Sequence, residues 1–116
     1  MTLEEFARED MAMLRKLAAH VDPPNIEELA DMRLLDLAQR AMRDKLALAR
    51  MKGRGGWWND AECSVEQLRA LLREHVDKGD MRDVMNLAAM VYVREVADAQ
   101  PNTEVVRPAG SERTQS

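Results

Sequence analysis

Three glycines, one arginine and two tryptophans occupy six consecutive positions, Gly53-Arg54-Gly55-Gly56-Trp57-Trp58. An arginine between glycines, followed by two large aromatic rings, can stack a flat ligand or hold a phosphate through backbone N–H groups. The same residues can instead plug one end of a helical bundle, with each indole N–H bonded to a loop carbonyl. A structural role is expected for one tryptophan, while the other is open to binding. The loop is not of the nucleotide-binding P-loop kind, because no Lys-Ser/Thr follows the glycines and no strand precedes them.

Positive charge leads into this loop. Arg40, Arg43, Lys45, Arg50, Lys52 and Arg54 face only Asp44, a local charge of +5. Basic groups beside aromatics suit an anionic partner, so Arg50, Lys52, Arg54, Trp57 and Trp58 are the candidate binding residues. The plainer reading is a solvated helix face matched by the acidic N-terminal part, where residues 1–36 carry nine acids and four bases.

A third group is acidic. Glu74, His75, Asp77, Asp80 and Asp83 crowd one short stretch, and Asp83 lies one helical turn from Asn86. Carboxylates at that spacing can hold Mg²⁺, which prefers oxygen ligands. Against this, Asp80 and Asp83 would stand in the first turn of a helix, where the dipole favours negative charge without any further role. Cys63 precedes a helix start that can lower a thiol pKa, yet only His20 and His75 could partner it. No nucleophile arrangement stands out, so no catalytic residue is assigned.

Helices must position these groups. Thr2 and Glu5 form a capping box for the first helix, and Asp22-Pro23-Pro24 is expected to end it. Asn25 with Glu28 is expected to start a second helix with the apolar stripe Ile26, Leu29 or Ala30, Leu34, Leu37 or Ala38, Ala41 and Leu48, running to about Met51. Its continuity through Arg43-Asp44-Lys45 is left open. After the loop, Ser64 and Gln67 cap a third helix with Val65, Leu68, Leu71, Leu72 and Val76 on one face. Gly79 closes it, and Asp80 caps a fourth, Met81 to about Ala97, whose apolar run from Val84 to Val93 marks it as the central element. The expected fold is all-α: a small bundle of about four helices in two antiparallel hairpins, with the Gly/Trp loop between them. Residues 1–99 form one domain, and residues 100–116, without periodicity, form a disordered tail.

Composition limits the function. The 116 residues include one cysteine, which excludes an internal disulfide and gives no metal-ligand spacing. There is neither a secretory leader nor an apolar run of about 18 residues, so a cytoplasmic protein without a membrane partner is expected. A net charge of -4 argues against nucleic acid as the partner. Leftover apolar surface on so small a bundle suggests a homodimer.

Two resemblances add to this. From Lys45 to Tyr92 the chain resembles a group of small tailed-phage and prophage proteins. The shared elements are the loop Gly53 to Trp57, the helix start Glu62-Cys63-Ser64, Glu74-His75-Val76, and the turn Lys78-Gly79-Asp80-Met81-Arg82-Asp83-Val84. That resemblance implies a phage-encoded accessory protein in the bacterial cytoplasm that binds a host or phage protein, for example to counter host defence. The turn, with Asp83-Val84-Met85-Asn86 opening an apolar helix, is also similar to the end of MazG-like all-α nucleotide pyrophosphohydrolases. This second resemblance implies a nucleotide partner and a Mg²⁺ cofactor held by Asp80, Asp83 and Asn86 with Glu27, Glu28 and Asp31. Without it, no cofactor is expected. The family's acidic Glu-Glu-x-x-Glu motif fits Glu27-Glu28-Leu29-Ala30-Asp31 in type but far upstream, and Glu66-Gln67-Leu68-Arg69-Ala70 lacks two of its three acids.

Overall fold

The computed structural model describes residues 1–99, so the expected tail at 100–116 lies outside the described residues. Four helices follow in order: α1 (Leu3–Leu17), α2 (Pro23–Met51), α3 (Val65–Lys78) and α4 (Met81–Asp98). The all-α expectation is met, with no strand among the described residues.

Local sequence sets most of the helix ends. Thr2 Oγ1 accepts from the Glu5 amide at 3.1 Å, and the Glu5 carboxylate accepts from the Thr2 amide at 2.7 Å. Ser64 and Gln67 repeat the exchange at the start of α3, at 3.1 and 2.7 Å. The start of α2 departs from expectation. Asn25 and Glu28 do not cap it; the helix begins at Pro23, and Asp22 stands at the N-cap without a side-chain cap bond. The two prolines do not break a helix here. They occupy its first positions, where a missing N–H leaves nothing unsatisfied and the fixed φ suits helical geometry.

α2 runs unbroken for 29 residues, about 43 Å at 1.5 Å per residue. It is the spine of the molecule. Near its middle it meets α1: Arg33 bonds Asp10 at 2.7–2.8 Å, and the Arg40 guanidinium lies 5.3 Å from the centre of the Phe6 ring. Further along it meets α4, where Asn86 donates to the Met42 carbonyl at 3.2 Å. The covered face therefore turns around α2 between its two halves. Ile26, Leu37 and Ala41 are sheltered as expected, but Leu34 and Leu48 of the expected stripe are 62% and 46% exposed. A single stripe cannot serve two partners that approach from different sides.

The helices pack in the order α1, α2, α4, α3. Among the described helices, α1 packs only on α2, α3 packs only on α4, and α2 and α3 do not meet. α4 is flanked on both sides, which fits its expected central place, and it buries Asn86, Val91 and Arg94. Its outer residues Tyr92, Val93 and Val96 are nevertheless exposed. Leu14, Ala41, Leu68 and Val91 form a thin apolar core.

Candidate functional site

The loop after α2 is built from its backbone. The Gly53 amide donates to the Arg50 carbonyl at 3.0 Å and the Arg54 amide to the Ala49 carbonyl at 2.9 Å. This paired pattern ends a helix through a left-handed residue, here Gly53 at φ 78°. Gly56, at φ 81°, is the second left-handed position, and a Cβ there would stand 2.5 Å from the Glu62 carboxylate. The segment then folds tightly on Asn59, whose carbonyl accepts from the Cys63 amide at 2.8 Å and whose side chain accepts from the Ala61 amide at 3.1 Å.

One residue of α4 fastens this loop. Arg94, only 4% exposed, donates to the Trp57 carbonyl, the Cys63 carbonyl and the Asp60 carboxylate, each at 2.8 Å. Its Nε also lies 3.4 Å from Asp98. A buried guanidinium persists only when its donors are satisfied, and two of these acceptors are backbone carbonyls of the loop. Arg94 is not among the residues that the sequence singles out, although it directly follows the mainly apolar run from Val84 to Val93.

α2 and α3 diverge over α4, and the loop closes one end of the gap. The result is a cleft of about 520 Å³. Leu46, Leu68, Leu87 and Met90 give it apolar walls, Trp57 and Trp58 line the loop side, and Arg50 and Arg54 also border it. Trp57 is half-buried, whereas Trp58 is 66% exposed. No indole N–H bond to a loop carbonyl is present among the described residues; the loop is held by Arg94 instead.

Polar groups in the cleft are few. His75 donates from Nδ1 to the Leu71 carbonyl at 2.9 Å, the only role a carbonyl oxygen leaves it. Asn86 is 6% exposed, and its Oδ1 is buried without a hydrogen-bond partner. The Met42 carbonyl can only accept, so it must face the amide nitrogen of Asn86, and the oxygen is the group left over.

Four of the candidate binding residues converge here: Arg50, Arg54, Trp57 and Trp58. Lys52 stands at the end of α2 beside them, outside the cleft lining. Arg50, Lys52 and Arg54 make no ion pair among the described residues. Two other bases of the expected patch, Arg40 and Lys45, are ion-paired, whereas Arg43 makes no ion pair among the described residues. Arg40 pairs with Asp36 at 3.2 Å, and Lys45 lies 3.5 Å from Asp80 and 3.3 Å from Asp83.

The metal candidates are not gathered into one place. Among the described residues no group of three His, Cys, Asp or Glu side chains is placed to hold a metal ion. Asp80 and Asp83 share the Lys45 ammonium. Glu27, Glu28 and Asp31 are exposed on the first turns of α2, and Asp31 alone is 14 residues, about 21 Å of helix, from Lys45. Desolvation works to raise the Asp80 pKa, but hydrogen bonds from the Arg82 side chain and amide, with the Lys45 and Arg82 charges, hold it below the ordinary carboxylate value. Cys63 lines the cleft, with its thiol 3.9 Å from the Ser64 carbonyl and no bond to either histidine.

No protein-family model, no curated protein and no solved structure matches the chain. Among the described residues no helix is long and apolar enough to cross a membrane.

Proposed function

We propose that this chain is a phage-encoded accessory protein of the bacterial cytoplasm that acts by binding a host or phage protein through its Gly/Trp loop. One observation carries this reading: the exposed Trp58 ring borders the same cleft as Arg50 and Arg54, neither of which has an ion-pair partner among the described residues. Tryptophan and arginine are the side chains whose truncation most often costs an interface its affinity. Arg94 holds the loop before any partner arrives, which lowers the entropy that binding must offset. The test is affinity capture from infected host cells with the tagged full chain and with the Arg54→Ala/Trp58→Ala double variant. The captured protein should be lost with a variant whose far-UV circular dichroism is unchanged. A variant that retains its partner at wild-type yield would refute the reading.

A second reading is a MazG-like nucleotide pyrophosphohydrolase, or a nucleotide-binding relic of one. Its support is that Asp83 and Asn86 line the cleft together with Arg54 and both tryptophans. Mg²⁺ would have to displace the Lys45 ammonium from Asp80 and Asp83, and it would gain no help from Glu27, Glu28 or Asp31. Thermal stabilisation by nucleoside triphosphates only in the presence of Mg²⁺ would favour this reading over the first.

A further inference from the structure

We infer that a second copy of this chain packs against α2 in antiparallel register, about a two-fold axis near Ala41. This goes beyond the binding reading above and does not rest on it. α2 is the spine of the molecule, yet Ala41 is the only buried residue among its 29. A long helix in a protein draws most of its stability from tertiary packing. α1 takes one side of α2 through Arg33 and Arg40, and α4 takes another through Met42 and Lys45. Between those two sides runs a stripe that no described helix covers, marked by the exposed Leu34 and Leu48.

That stripe is its own complement. Leu34 and Leu48 stand seven residues to either side of Ala41, and seven residues is about two helical turns, so all three share a face. Turning a copy end for end about Ala41 lays Leu34 of each chain on Leu48 of the other, the self-complementary contact of a two-fold dimer. Charge follows the same symmetry. Glu27 and Asp31 lie one turn apart near the start of α2, exposed and without ion pairs among the described residues. Lys52, at the other end of α2, is likewise exposed and unpaired. In the antiparallel register Lys52 faces Ala30 of the second copy, within a turn of both acids. A parallel pairing would match the leucines equally well but would set Lys52 on Lys52 and the acids on each other, so charge selects the antiparallel one. Arg50 follows Leu48 by two residues, about 200° around the helix. The cleft it borders therefore lies on the other side of α2 and stays open in the dimer.

The test is sedimentation velocity of the full chain over a dilution series, with cysteine cross-linking to fix the register. The wild type should be a dimer that dissociates on dilution. Leu48→Glu should raise its dissociation constant about a hundredfold, because the two-fold axis removes each contact twice. Lys52→Glu should weaken the dimer severalfold, and adding Glu27→Lys and Asp31→Lys to the same chain should restore it. In a Cys63→Ser background, Leu34→Cys and Leu48→Cys chains should cross-link when mixed and not when kept apart, since like positions stand about 21 Å from each other in this register. Leu34 and Leu48 are exposed, so far-UV circular dichroism should be unchanged; if Leu48→Glu nevertheless unfolds, the cross-linking still decides. A chain that is monomeric at every concentration would overturn the inference. So would Leu34→Cys chains that cross-link with themselves, which is the parallel arrangement. A dimer dispersed by Arg54→Ala/Trp58→Ala but not by Leu48→Glu would also overturn it, by seating the second copy on the loop.

Discussion

Arg94 shows how one side chain can set the geometry of a loop that lies more than thirty positions away in sequence. Its three 2.8 Å donations fall on two loop carbonyls and Asp60. Asp60 is 80% exposed, so the carbonyls carry most of the effect and the ion pair little. Arg94→Met should therefore destabilise the fold by about 2–3 kcal/mol, the scale of hydrogen bonds to a charged donor. A lower urea midpoint with a red-shifted tryptophan emission would check it. Gly56 offers a sharper comparison with its neighbour. Gly56→Ala places a methyl group at φ 81° and 2.5 Å from the Glu62 carboxylate, and should cost about 1–2 kcal/mol. Gly55→Ala meets nothing within 4 Å at an ordinary φ, and its thermal midpoint should stay near wild type.

Helix starts were readable where the bonds are local. Thr2–Glu5 and Ser64–Gln67 need only residues three apart, so sequence spacing determines both boxes. The start of α2 was misread because a proline ends one helix and begins another, and only the turn at Ala18–Asp22 decides between the two. At the α3–α4 junction, Asp80 caps α4 by accepting from the Arg82 amide at 3.1 Å, and its pKa is lowered. A carboxylate with a depressed folded pKa adds stability above its unfolded value, near 3.8, and loses it as pH falls through the lower folded value. Asn is an equally good cap but does not titrate. Between pH of about 5 and about 2, Asp80→Asn should lose thermal stability less steeply than wild type, as followed by circular dichroism.

At the scale of the whole molecule, the candidate site arises from what does not touch. α2 and α3 lie on either side of α4 without meeting, and the gap between them is the cleft. Amphipathic spacing reports that a helix has a buried face, but not that α2 turns one face to α1 and another to α4. Leu34 and Leu48 thus read as core and lie at the surface. The loop residues Arg50, Arg54, Trp57 and Trp58 were legible because their types are unusual in a chain so poor in aromatics. Asn86 and Lys45 stood out too, as a metal candidate and as part of the basic patch, but their contacts across α2 and α4 were not legible, since those depend on which helix lies opposite. Both tryptophans of the chain stand in the loop, so with 7-azatryptophan in their place, excited to the red of a partner's ordinary tryptophan, the emission reports on the proposed contact surface alone. Acrylamide quenching of the full chain, with and without saturating captured partner, is the most direct test. Binding through the loop predicts a several-fold fall in the quenching constant as Trp58 is covered. An unchanged constant at saturation would contradict it.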